Sequence, residues 1–303
     1  MDGILPLWKE RGMTSHDCVF KVRKILKMKK VGHTGTLDPN VDGVLPICLG
    51  KGTKLVELLM DKTKVYTGEI TLGFATTTED LDGDVIAEET LDKAFDDKQI
   101  QDFMGELTGH IVQIPPMYSA IKVKGKRLYE YAREGIEVER PEHPVFVHDF
   151  KLVGTSRFEE GKQIFAFEVV CGKGTYVRTL ASDLGKKLGV PATMTSLTRQ
   201  SSTPFSKADC LTLSELQEAV DNEDYSWLVP IESALAAYPI WHLPVEDRQL
   251  IKLVDNGSVL PLTALPEPLR GQLPVTAYID GKLKALYDVH PSKDGKIKPS
   301  KMF

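Results

Sequence analysis

The sequence predicts an α+β protein in two parts, and three observations carry that prediction. Strand patterns of period two and helix patterns near period 3.6 follow one another without a regular βαβ rhythm. The chain has 303 residues, enough for about two domains at roughly 100–200 residues each. After about residue 237 the texture changes to prolines and short apolar runs (YPIWHLP, NGSVLPL, LPVTAYIDGKLKALYDV), which read as a small β-rich domain over 238–303. Residues 1–237 form the larger part. With 42% hydrophobic and 27% charged residues, the chain can bury an ordinary globular core.

Residues 15–30 read as a helix. Ser15 or Thr14 can cap it, Cys18, Val22 and Ile25 share a stripe, and Lys21, Arg23, Lys24 and Lys27 occupy the other faces. A glycine-rich loop, GHTGTLDP at 32–39, follows, then a short helix near 51–60. VYTGEITLGF at 65–74 alternates, with Tyr66, Ile70, Leu72 and Phe74 on one side, and is a strand. TTTEDLDGD at 76–84 is a polar turn. Residues 97–108 form a helix with Ile100, Phe103, Met104 and Leu107 inward and Gly109 as its stop. The stretch IPPMYSAIKVKGKRLYEYAR reads as an extended arm, a hairpin turn at Lys124-Gly125 and a helical turn. A buried strand at 164–171 leads into a helix over 176–189. Thr212 and Glu215 make a capping box for LSELQEAV, and Asp280-Gly281 between apolar runs signals a hairpin.

Several function classes fall away. No stretch offers the roughly 18 unbroken apolar residues of a membrane span, and the start, MDGILPLWKERG, does not read as a signal peptide. Cys18, Cys48, Cys171 and Cys210 are far apart and form no CxxC pair, so they read as reduced thiols, mostly packed inside, with no zinc framework. The expectation is a soluble cytoplasmic protein. With no coiled coil or sticky strand evident, it is also expected to be a monomer with no obligatory protein partner. A net charge of −5 argues against a general nucleic-acid coat. Three local basic clusters nevertheless stand out at 21–30, 122–133 and 172–178, the second interleaved with aromatics, and they point to an anionic partner.

The motifs narrow the chemistry. LGKGTK and CGKGTY lack the order of a phosphate-binding P-loop. DPNVDG opens like a calcium loop, but the twelfth position is Leu49, where a bidentate glutamate is needed, and prolines stand at positions two and nine. There is no GxSxG elbow. Asp38 precedes Pro39, which biases its backbone toward an extended conformation, while Gly32 and Gly35 would let another backbone come close. His33 lies on the same loop and Tyr66 opens a strand just after Lys64. Arg178 falls in the first turn of a helix, where the dipole disfavours a cation, so a carboxylate partner is expected to compensate it.

Four ordered motifs carry a resemblance. GHTGTLDPNVDGVLPICLGKGTK, KVYTGEITLGFATTTEDLDGD, IPPMYSAIKVKGKRLYEYAREG and GKGTYVRTLASDLGKKLG together resemble the bacterial tRNA pseudouridine-55 synthases, the TruB family. The likeness runs from about residue 2 to 210 and more weakly beyond. It implies a pseudouridine-synthase-like catalytic domain, with a mixed, mainly antiparallel central sheet flanked by helices, and a small PUA-like C-terminal RNA-binding domain. It implies isomerisation of one uridine in the tRNA T-loop, with tRNA, through its T-arm, as the partner. By the resemblance Asp38 is the catalytic aspartate, Arg178 pairs with it, and Tyr66 stacks on the base. His33 wedges into the T-loop, Leu197 lines the uracil pocket, and Lys9 matches a lysine of the N-terminal strand. Lys64 joins the expected substrate-binding set. One departure is Trp8-Lys9-Glu10-Arg11 before Gly12, where the family commonly has Lys-Pro. The reaction breaks N1–C1′ and joins C5 to C1′ with no redox step or group donor, so no cofactor and no metal are implied. A second reading is an RNA-binding or RNA-folding module, which the same basic clusters would serve. The Asp38 and Arg178 pair separates the two, since a pure binder has no need of it.

Overall fold

The computed structural model describes all 303 residues. In chain order the larger part contains β1 (Gly3–Lys9), α1 (Ser15–Ile25), β2 (Val31–His33), β3 (Asp42–Leu49), α2 (Val56–Met60), β4 (Lys64–Leu72), β5 (Phe74–Thr76), β6 (Val85–Glu88), α3 (Asp97–Glu106) and β7 (Gly109–Gln113). It continues with β8 (Lys122–Val123), β9 (Lys126–Arg127), α4 (Leu128–Arg133), β10 (His143–Glu159), β11 (Lys162–Cys171), α5 (Val177–Leu188), β12 (Ala192–Ser202), β13 (Phe205–Ser206), α6 (Leu213–Asp221) and α7 (Ile231–Ala234). The remainder holds β14 (Ile240–His242), α8 (Arg248–Asp255), β15 (Leu260–Pro261), β16 (Val275–Ile279), β17 (Lys282–Val289) and β18 (Lys296–Met302).

Nine strands make the central sheet, in the order β1-β3-β12-β4-β11-β10-β7, with β2 on β3 and β13 on β12. Only β3 and β12 run parallel, so the sheet is mixed and mainly antiparallel. Alternation splits each strand between two faces. Leu5, Leu7, Leu45 and Ile47 face the main core, where Cys18 and Val22 of α1, Ile100 and Met104 of α3, Leu180 and Leu184 of α5 and Leu216 of α6 cover the sheet. Ile4, Val44 and Cys48 face the other way and pack with Ile231, Leu235, Leu283 and Leu286. The second sheet, β14-β16-β17-β18-β15, carries its own core around Trp241, Tyr287 and Ile297 and thus leans on the back of the first.

Some boundaries differ from the sequence pattern, for local reasons. The first helix ends at Ile25 rather than 30, because Leu26 caps it and Lys27 turns left-handed (φ 51°). The stretch 50–60 begins as a 3-10 turn over Gly50–Leu55 before α2. The strand expected over 65–74 breaks at Gly73 (φ 112°). Both hairpin turns form where expected, with Lys124-Gly125 and Asp280-Gly281 all at positive φ. Cys18, Cys48 and Cys171 are buried, Cys210 is partly exposed, and all four are free thiols.

Candidate active site

The loop between β2 and β3 carries His33 and Asp38, and it is pinned from beneath. Ser15, at the start of α1 and 1% exposed, donates its hydroxyl to the Leu37 carbonyl (3.2 Å) and accepts from the Leu37 amide (2.8 Å). Lys9 ends β1 and is fully buried; its ammonium donates to the carbonyls of Glu10 (3.1 Å), Pro39 (3.0 Å) and Val41 (2.6 Å). The Gly12 amide also donates to Pro39 (2.9 Å), and Leu37 and Val41 sink into the core. Gly35, at φ 124°, makes the turn that an L side chain would strain. Gly32 lies inside β2, and a Cβ there would meet Val56 at 3.7 Å and Thr53 at 4.0 Å, both at ordinary contact distance.

Asp38 therefore projects from a loop whose flanks on both sides are fixed. Its carboxylate lies 3.3 Å from Nε of Arg178, and the same guanidinium reaches Asp80 through Nη1 at 3.3 Å. Arg178 further donates to the carbonyls of Thr78 (3.0 Å) and Tyr118 (3.1 Å), which ties the 76–84 turn and the arm to the aspartate. Its side chain is 8% exposed. The cation in the first turn of α5 is thus compensated by two carboxylates. Gln113 completes that helix end, accepting from the Tyr176 amide (2.9 Å) and donating to the Tyr176 carbonyl (3.0 Å). Burial lifts the Asp38 carboxyl above its usual value, Arg178 opposes the rise, and Asp80 and Asp82 add to it. Asp42, the other acid of the calcium-like stretch, instead accepts from the Thr198 hydroxyl at 2.6 Å and pairs with Arg11.

Tyr66 and Leu197 lie on the adjacent strands β4 and β12, where Leu197 opposes Gly68 and Arg199 opposes Tyr66. Leu197 is 7% exposed and Tyr66 half-buried. Burial raises the Tyr66 phenol above its usual value, and Arg199 pulls against it. His33 accepts from the Gly35 amide at Nδ1 (3.3 Å). Burial first, and Arg199 second, hold its pKa below the usual histidine value, so the ring is neutral at pH 7.

Two expected substrate-binding residues, Lys9 and Lys64, are engaged with backbone. The Lys9 ammonium, expected among the substrate-binding groups, spends its three donors on the carbonyls of Glu10, Pro39 and Val41. Lys64 is 5% exposed and donates to the carbonyls of Met60 and Lys62 (2.6 Å to the latter), closing the end of α2. Desolvation brings its pKa down to about 8. Both lysines hold backbone.

Residues 23–177 match the family described as TruB family pseudouridylate synthase (N terminal domain). Residues 178–236 match the tRNA pseudouridylate synthase B C-terminal domain. The chain belongs to the TruB family of pseudouridylate synthases. It is 50% identical over 304 residues to the tRNA pseudouridine synthase B of Halalkalibacterium halodurans, covering 100% of this chain and 97% of that protein. With that of Geobacillus thermodenitrificans the identity is 51% over 308 residues, covering both chains fully. Among solved structures, a chain of the Cbf5-Nop10-Gar1 complex superposes with a TM-score of 0.71 at 26% identity, over 99% of this chain and 84% of that one.

Within this TruB-family site, two charged residues escape a reading of the sequence. Asp80 sits in a stretch that looks like a solvated acidic turn, yet it is 9% exposed, accepts from the Thr78 hydroxyl (2.5 Å) and meets Arg178. Arg199, in SLTR, looks like an ordinary strand cation but is 1% exposed. Arg199 gives one signal in the sequence, a cation on a strand, whereas Asp80 is indistinguishable from the other acids of its turn.

Proposed function

We propose that this chain isomerises uridine 55 in the T-loop of tRNA to pseudouridine, with Asp38 acting at the glycosidic bond. The observation that carries the reading is the Asp38–Arg178 ion pair at the tip of a loop pinned by Ser15 and Lys9. A binding surface gains nothing from so fixed a carboxylate; a reaction that needs a nucleophile or a proton acceptor at one atom does.

The uridine is stacked in a folded loop and must be flipped out, which costs a few kcal/mol. His33, neutral at pH 7, fills the vacated place without burying a charge. Tyr66 stacks on the extruded base, a contact worth about 1–3 kcal/mol in single-strand binders. Leu197 closes the apolar side of the uracil pocket. Asp38, whose carboxyl burial pushes up and Arg178 pulls back, acts at C1′, at C6 or as a base. The N1–C1′ bond breaks, the uracil turns, and C5 joins C1′. The C5 hydrogen leaves as a proton and N1 takes one up, so atoms and electrons balance without a co-reactant. The arm around 115–133 holds RNA phosphates through its exposed Lys122, Lys124 and Arg127, contacts that position but do not specify.

Residues 1–237 perform the chemistry and 238–303 form a PUA-like domain that adds RNA contacts. The enzyme works as a monomer in the cytoplasm, without an obligatory protein partner. No helix is long and apolar enough to cross a membrane. The test is to incubate unmodified tRNA with the protein and map pseudouridine by base-selective chemical derivatisation and primer extension. A stop at position 55 alone supports the reading; modification elsewhere, or none, refutes it.

A further inference from the structure

A buried guanidinium without a carboxylate is expensive, since several kcal/mol of desolvation must be met by other contacts. Arg199 is such a group. It is 1% exposed, and none of the chain's ion pairs includes it. Its donors go in three directions instead. Nε donates to the Val44 carbonyl (2.7 Å) on β3, Nη2 to the Gly35 carbonyl (3.3 Å) in the aspartate loop, and Nη1 to the Tyr66 hydroxyl (3.5 Å) on β4.

The strand order explains how one side chain reaches all three. β12 lies between β3 and β4, and Arg199 is opposite Gly43 on one side and Tyr66 on the other. A Cβ on Gly43 would fall 2.3 Å from the Arg199 carbonyl oxygen, so only glycine lets the two backbones approach this closely. The guanidinium carbon lies 6.0 Å from the Tyr66 ring centre. The ionisable groups facing that phenol are Arg199 from β12, Cys171 from β11 and Asp38 from the loop, and Arg199 is the cation among them.

We propose that Arg199 is a positioning residue for the isomerisation: its buried guanidinium locks the tyrosine hydroxyl and the Gly35 turn of the aspartate loop to β3, so that stacking and reacting groups hold one relative geometry. The inference rests on the isomerase reading for its consequence, but the lock itself exists without RNA. A planar fork suits this duty because its donors are set at fixed angles, whereas a lysine presents a single nitrogen.

The test uses the full chain labelled with ζ-13C tyrosine, with Tyr66→Phe to assign the Tyr66 signal. In Arg199→Met the Tyr66 phenol is expected to titrate above the wild type, because the cation that opposes the effect of burial is gone. Turnover on T-arm RNA is expected to fall about 10²-fold through kcat, with KM within about threefold. In Arg199→Lys the buried charge stays, so the phenol titrates near the wild-type value while kcat still falls. A folded Arg199→Met protein with an unchanged phenol titration overturns the proposal, and so does full kcat in Arg199→Lys. If Arg199→Met does not fold, the lysine variant decides alone. Should the wild type not turn over RNA, the isomerase reading has failed, and the titration still judges the lock.

Discussion

Replacing Arg178 by lysine should slow the chemistry much more than it weakens RNA binding. The guanidinium serves Asp38 and Asp80 at 3.3 Å each and the carbonyls of Thr78 and Tyr118 at 3.0 and 3.1 Å. These partners lie in different directions, and one ammonium cannot meet them all. A hydrogen bond to a charged group is worth about 1.5–3 kcal/mol, and each 1.36 kcal/mol is tenfold in rate, so losing the hold on Asp38 should cost roughly 10- to 150-fold. The Asp38 side chain is 39% exposed, so water already screens the pair and places the expected loss toward the middle of that range, about 30-fold. The assay is single-turnover release of tritium from C5-labelled T-arm RNA at saturating protein, with affinity measured separately by filter binding. Affinity should stay within about threefold, because Arg178 is turned inward. A near-normal rate would refute the pairing as a catalytic device. A large loss of affinity with an intact rate would show instead that Arg178 holds RNA.

Other outcomes follow from the same contacts. Asp38→Asn should be more stable than the wild type at pH 7: burial raises the folded carboxyl's pKa, so the ionised form opposes folding above that value. The protonated acid suits the fold, so the gain should fade as pH falls toward the unfolded pKa of about 3.9, which urea denaturation across pH would reveal. Ser15→Ala removes both anchors of Leu37 and should destabilise by about 1–3 kcal/mol while lowering kcat, read by urea denaturation and turnover together. Asp38→Ala should bind tRNA within about tenfold of the wild type, since phosphate contacts dominate affinity; a hundredfold loss in a filter-binding titration would contradict this.

The loop and its partner arginine were legible because their signals are local. An aspartate before proline, a glycine at the turn and a cation at a helix N-terminus each break a local rule, and the structure resolves each break with a named contact. The hairpins at Lys124-Gly125 and Asp280-Gly281 were legible for the same reason. Most of the central sheet was not: of its nine strands the sequence pattern marks β4 and β11. β1 and β3 each carry a proline, and Pro6 stands opposite Pro46, where strand patterns ordinarily exclude it. β10 runs from His143 to Glu159, but irregularities near Val147 and Val153 break its alternation. Asp80 and Arg199 depend on strands and turns far apart in sequence, so no window of residues reveals their partners. Lys9 and Lys64 show the same limit from the other side. The sequence places both lysines near the reactive loop but does not reveal the backbone carbonyls that each ammonium meets in the fold.

The central claim is that this chain rearranges a uridine through Asp38. The direct measurement supplies tRNA carrying tritium at uridine C5 to the wild type and to Asp38→Ala, because joining C5 to C1′ expels that hydrogen into water. Release by the wild type and none by the variant is the predicted result. Release by both would show that another group does the chemistry, and release by neither, with tight RNA binding, would show a binding protein and contradict the account.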